Sequence, residues 1–199
     1  MYSSKKKGLR LSFNAPVTLV FVGLCVAARL IDMLTGGAAN RAVFSVYGSS
    51  MANPLTYVRC VAHVLGHASW SHLIGNMMYI LILGPRIEEK YGPKSTAAII
   101  LITAVVTGII NMVLFPRVML LGASSVVFAF ILMSSITVRE DNTIPVTFIL
   151  VALLYLGQQV WQGVTEKDNI SQMAHIAGGA VGSVMGFLLS KAERKSRSR

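Results

Sequence analysis

The sequence predicts an all-α fold: a polytopic membrane protein, a six-transmembrane-helix bundle with both termini on the inner side (N-in/C-in). Three observations carry this. Hydrophobic residues make up 54% of the 199-residue chain and charged residues only 13%, about half the charged share of an ordinary soluble domain. The apolar residues come in long blocks, as spanning helices require. The net charge of +10 is concentrated outside those blocks. Lys5, Lys6, Lys7 and Arg10 precede the first, and Lys191, Arg194, Lys195, Arg197 and Arg199 follow the last. Basic flanks around apolar spans follow from the positive-inside rule and from attraction to anionic headgroups. They argue for membrane flanks and against a nucleic-acid tail. The domain reading is a basic cytoplasmic N-terminus at 1–15, one membrane domain at 16–190 and a basic cytoplasmic C-terminus at 191–199.

The first helix is expected over 16–35. Its apolar block is long and no small-residue cleavage site follows, so it reads as a retained span, not a signal peptide. Arg29 within it has Asp32 one turn on as a partner. Residues 36–69 are mixed in polarity and do not read as a clean span. The second helix is expected over 70–88, a turn follows at Gly92-Pro93, and the third helix covers 94–115, stopped by Pro116. The fourth, fifth and sixth are placed at 122–138, 144–162 and 172–190, with a loop at 163–171. Cys25 and Cys60 make no disulfide framework.

Orientation follows from the cations. The inner segments hold Lys5, Lys6, Lys7, Arg10, Arg86, Lys90, Lys94, Arg139, Lys191, Arg194, Lys195, Arg197 and Arg199; the outer ones hold only Arg41, Arg59, Arg117 and Lys167. That bias places both termini inside. Helices two, four and six then all run from outside to inside. His72 and Asn76, Ser124, and His175 stand at the starts of those three helices, so all four fall in the same outer half of the membrane.

Polar groups inside apolar runs are costly unless they have partners or a job. Ser124, in Gly122-Ala-Ser-Ser, opens an apolar helix. Free N–H groups and the helix dipole at such a position favour a developing oxyanion, although Ser124 or Ser125 also suits an N-cap. Ser125 is a competing nucleophile. Gly122 permits a sharp turn or close approach. His175 is suited to take a serine proton and return it to a leaving amine. Gly178 and Gly182 share its helix face and allow a neighbour to come close; a plain packing face is the alternative. No carboxylate is placed beside His175 in the outer half, so a Ser-His dyad is the simpler reading, with Glu166 and Asp168 in the preceding loop. His72 and Asn76, spaced i, i+4, offer two donors to an oxyanion, or a structural hydrogen-bonded pair. His63 and His67 have the same spacing, but Val64 stands where a metalloprotease helix needs Glu, so hydrogen bonding is preferred over metal. Arg86, Glu88, Glu89 and Lys90 read as interfacial anchors or an ion-pair network.

Taken together these segments resemble the rhomboid family of intramembrane serine proteases, in its basic six-helix form, over about residues 55–190. His63-x-x-x-His67-x-x-x-x-His72-x-x-x-Asn76 is similar to the family's second-helix signature. Gly122-x-Ser124 is similar to its nucleophile motif, and Ala174-His175-x-x-Gly178-x-x-x-Gly182 to its last-helix motif. The resemblance implies Ser124 as nucleophile, His175 as base, and His72, Asn76 and the Ser124 N–H as oxyanion hole. It also implies a first-loop arginine in Arg59 and a structural glutamate in Glu88. Two positions depart from the pattern: Ser125 where the family usually has Gly, and Val58, beside Tyr57, where it often has Trp. The implied activity is serine endopeptidase cleavage of single-span membrane proteins near the outer membrane boundary, with no cofactor or metal. The partners are then transmembrane substrates and the lipid bilayer, and no nucleic acid. A silent rhomboid-like protein that binds or escorts membrane partners is the rival that Ser125 motivates. Small size and the lack of targeting extensions point to a bacterial plasma membrane. Nothing in the sequence sets the oligomeric state.

Overall fold

The computed structural model describes residues 13–136, 144, 146–165 and 170–197, with some side chains of the last two helices left out. Every regular element in it is helical: α1 (Pro16–Leu34), α2 (Ala38–Ala42), α3 (Pro54–Ala62), a 3₁₀ turn (His63–Leu65), α4 (Trp70–Leu114), α5 (Ser124–Ile136), α6 (Val146–Thr165) and α7 (Ile170–Arg197). Among the described residues, α1, α4 and α7 are long and apolar enough to cross a membrane.

α1 begins with Pro16 in the first turn, which suits its fixed φ, but Ala15 offers no side-chain cap. The cap comes from another helix. Glu88 of α4 accepts hydrogen bonds from the Val17 and Thr18 N–H groups and from the Thr18 hydroxyl, each at 2.9 Å. A carboxylate at a helix N-terminus is also favoured by the dipole. Glu88 therefore serves a helix start, which refines the reading of this cluster as anchors or ion pairs. At the other end of α1, Arg29 pairs with Asp32 at 3.0 Å, as the sequence suggests. Asp32 also accepts from the Asn40 N–H and side-chain amide, both at 2.8 Å, and so ties α2 to α1.

The 45 residues of α4 do not form one rod. Gly92 leaves helical geometry at φ 81°, and Pro93 can neither donate a helical N–H nor leave its predecessor in α conformation. Two arms result, 70–91 and 93–114. A straight helix would hold Asn76 and Ala104 about 42 Å apart. Instead both meet the 63–67 segment: Asn76 Nδ2 lies 3.1 Å from His67 Nε2, and the Ala104 carbonyl 3.0 Å from His63 Nε2. The arms therefore fold back on each other. The sequence-based turn was placed correctly, but it spans one residue, and helix occupies 89–91 beyond the expected end.

α5 lies at the centre. Val126, Val127, Ala129, Phe130, Leu132 and Met133 are all buried, and a helix apolar on every side belongs in a core. α7 lies flush against it. A Cβ on Gly178 would collide with the Ser125 carbonyl, and one on Gly182 with the Ala129 carbonyl. The loop expected at 163–171 is shorter than read, because α6 runs to Thr165 and α7 starts at Ile170; Glu166 and Asp168 lie outside the described residues. The 36–69 segment, as expected, is not a span: it holds α2, α3 and the 3₁₀ turn.

Candidate active site

The site is assembled by what α4, α5 and α7 place at the N-terminal end of α5. Ser124 is the first residue of α5, where N–H groups have no intrahelical acceptor. Its Oγ lies 2.8 Å from His175 Nε2 of α7. The Gly178 and Gly182 contacts explain why: without Cβ atoms on that face, α7 comes close enough for the two side chains to meet. Phe128, one turn beyond Ser124, backs the imidazole with ring centroids 4.5 Å apart. Sequence reading passed over Phe128, although its i+4 spacing from Ser124 places it on the same face.

His72 and Asn76 converge on the backbone that leads into α5. Gly122 has φ 127°, and a Cβ there would sit 2.9 Å from His72 Cε1 and Nε2 and 3.9 Å from Asn76 Nδ2. Only glycine meets both demands, positive φ and a ring at contact distance. Its N–H donates to the His63 carbonyl at 2.9 Å, which fixes the approach to Ser124. The Ser69 side chain caps α4 by accepting from the His72 N–H at 3.1 Å, so the helix that carries His72 and Asn76 starts at a defined position.

Asn76 is oriented from behind. His67 Nδ1 lies 3.0 Å from the Leu65 carbonyl, which only accepts, so Nδ1 carries the proton. Nε2 is then an acceptor and takes one N–H from Asn76 Nδ2 at 3.1 Å, leaving the amide a second N–H. Burial pushes the His67 imidazole down to about 4, with His72 and Arg29 adding to the effect, so it stays neutral at ordinary pH. The His67 carbonyl is in turn held by Asn40 Nδ2 at 3.1 Å. A continuous hydrogen-bonded path thus runs from Asp32 through Asn40 and His67 to Asn76. Nothing in the spacing of Asn40 signals this role; only the fold brings it to His67.

His63 and His67 engage different partners. His63 is fully buried, with Nε2 on the Ala104 carbonyl. Burial drives it down to about 4 as well. Among the described residues no group of three His, Cys, Asp or Glu side chains gathers as metal ligands would. Arg59 donates from Nε to the Ala42 carbonyl at 2.8 Å and lies over the Tyr47 ring at 4.7 Å. It thereby secures the 42–47 segment, where Val46 pairs with Leu120, just before Gly122. Ser125 is buried and its Oγ has no hydrogen-bond partner among the described residues.

A family model, the rhomboid domain, matches residues 54–192. The chain belongs to the rhomboid family. It is an integral membrane protein of helical build. Among curated relatives it is 27% identical over 177 residues to rhomboid protease GlpG of Yersinia pestis (strain Pestoides F), which covers 86% of this chain and 62% of that protein. The same figures hold for rhomboid protease GlpG of Yersinia pseudotuberculosis serotype O:3 (strain YPIII). Rhomboid-like protein 11, chloroplastic, of Arabidopsis thaliana is 27% identical over 143 residues, 63% of this chain and 50% of that protein. The chain thus spans half to about three fifths of the length of these relatives. The two departures from the rhomboid pattern differ in place: Val58 is exposed on α3, whereas Ser125 is buried against α7.

Proposed function

We propose that this rhomboid is an active intramembrane serine endopeptidase that uses Ser124 and His175 as a dyad on single-span membrane proteins. The observation that carries the reading is the 2.8 Å hydrogen bond between Ser124 Oγ and His175 Nε2, with His72 and Asn76 facing the same backbone turn. Ser124 Oγ attacks the scissile carbonyl while His175 Nε2 takes its proton. The carbonyl oxygen becomes an oxyanion held by the His72 ring, the second Asn76 N–H and the Ser124 N–H. The intermediate collapses, the C–N bond breaks, and His175 returns the proton to the leaving amine. Water, deprotonated by His175, then hydrolyses the acyl-serine ester and regenerates the enzyme. No metal takes part.

Ser124 stands at the start of α5, on the side that the cation bias marks as outer. With six spans and both termini inside, the site opens to the outer face of a bacterial plasma membrane. Helical peptide bonds are shielded, so substrates with Gly or Pro near the cut are favoured. The silent-binder alternative draws on Ser125 alone. Its hydroxyl is buried with no hydrogen-bond partner among the described residues, while Ser124 has His175 at 2.8 Å, which supports Ser124 as the nucleophile.

The test is cleavage of a single-span model substrate by purified protein in liposomes, read by gel and mass spectrometry. Wild type and Ser125→Ala are expected to cut; Ser124→Ala and His175→Ala are expected to be inactive yet folded. Folded wild type that cuts none of several helix-weakened substrates would establish the silent binder instead.

A further inference from the structure

Few cations are left on the outer side by the positive-inside rule, and the outer segments of this chain hold only Arg41, Arg59, Arg117 and Lys167. Two of them, far apart in sequence, come to one cavity. Arg41 and Arg117 line a cavity of about 290 Å³ together with Tyr47, Pro116 and Met119. Its walls are built, because Val46 pairs with Leu120 and the Gly48 N–H donates to the Pro116 carbonyl at 2.9 Å. The Tyr47 hydroxyl donates to the Arg41 carbonyl at 3.2 Å, so its ring, stacked beneath Arg59, forms part of the floor. No acidic residue lines the cavity. Among the described residues neither the Arg41 nor the Arg117 guanidinium has a hydrogen-bond or ion-pair partner.

The neighbouring helix supplies a second observation. α3 buries Thr56, Arg59 and Cys60 but exposes Leu55, Tyr57, Val58 and Val61, with Met51 exposed just before it. It is fastened beside the cavity by the Ser49–Thr56 hydroxyl contact at 2.8 Å and by Arg59 over Tyr47. An exposed apolar face next to unpaired cations is the pattern of an element lying in the membrane interface.

We propose that Arg41 and Arg117 form a binding cup for the phosphate of an outer-leaflet phospholipid, with preference for lipids of net negative charge. Guanidinium groups bind phosphate oxygens bidentately, and a zwitterionic headgroup brings its own competing cation. The acyl chains of the same lipid layer cover the apolar face of α3. The cup shares its wall with the 116–120 stretch that runs into Gly122 and Ser124, so headgroup binding fixes the depth of that stretch relative to the lipid surface. Lipid retention does not depend on proteolysis, and the binding test stands whether or not the chain cleaves substrates.

The experiment is native mass spectrometry of the protein released from phosphatidylcholine vesicles containing a minor share of phosphatidylglycerol. Arg41→Gln/Arg117→Gln is expected to retain on the order of tenfold less phosphatidylglycerol than wild type, with each single variant intermediate. Lys191→Gln, at the other end of α7, is expected to match wild type. Thermal unfolding in detergent micelles checks folding, and the single variants carry the test if the double variant does not fold. Equal retention by wild type and folded variants overturns the proposal. So does an equal loss in Lys191→Gln, which would mean bulk charge, or displacement by soluble glycerol phosphate at matching concentration, which would mean a site for free anions. Unchanged lipid retention with reduced cleavage of substrates bearing acidic residues outside their span assigns the cup to substrate and overturns it too.

Discussion

His67 orients Asn76, the oxyanion donor of the proposed mechanism, although it does not itself face the backbone turn at Gly122. Its protonated Nδ1 is fixed by the Leu65 carbonyl and its bare Nε2 by Asn76. Removing the ring frees the Asn76 amide to turn its oxygen toward the site. His67→Ala is therefore expected to lower kcat about tenfold to a hundredfold with KM little changed. Asn76→Ala, which deletes the donor itself, should cost on the order of 10²–10³ in kcat. Steady-state kinetics on one model substrate separates the two, and a pure KM effect in His67→Ala would contradict the positioning role. His63 and His67 also set an acid limit on stability. Both are held near 4 against an ordinary value of 6.5 by burial. Above about 6.5 both rings are neutral in native and unfolded chains, and the contribution is fully present. As pH falls toward 4 the unfolded chain takes up protons that the native state refuses. The unfolding midpoint should accordingly drop progressively between pH 6.5 and 4; a midpoint flat across that window would contradict the neutral, buried assignment.

Two elements carry the site by contacts between helices. Glu88 closes the N-terminus of α1 from α4 with three hydrogen bonds. Glu88→Gln keeps the size but gives up the charge, and should destabilise the fold by about 1–3 kcal/mol. Exposed Glu89→Gln on the next position should be nearly neutral. Denaturant unfolding in micelles checks both, and equal effects would remove the capping argument. Gly182→Ala places a Cβ against the Ala129 carbonyl, pushing α7 off α5. The expected result is a loss of activity greater than the loss of stability, because the Ser124–His175 contact is set by that spacing. Retained full activity would show that the glycine face does not control it. This is also where sequence reading reached its limit. The periodic spacing of His175, Gly178 and Gly182 made the face legible, and the Gly92-Pro93 break was visible because both residues act locally. Glu88 as a cap, Asn40 behind His67 and Asn111 bridging the Val46 and Val118 carbonyls were not. Those pairings depend on how α1, α2 and the two arms of α4 are folded together, and no local pattern encodes them.

For the molecule as a whole, convergence matters more than any one contact. Three segments spread over the chain each carry polar groups at a helix start, and the fold brings those starts together at one end of the bundle. The largely buried α5 begins at that end, and the Arg41–Arg117 cup lies beside the stretch leading into it. The centre of the account is that His175 activates Ser124. A fluorophosphonate probe reports this directly, because it phosphonylates a serine whose proton is taken by an adjacent base. Labelling folded protein in liposomes and mapping the adduct by peptide mass spectrometry should yield one modified residue, Ser124, with labelling abolished in His175→Ala and retained in Ser125→Ala. An adduct on Ser125, or no adduct on folded wild type, would contradict the account.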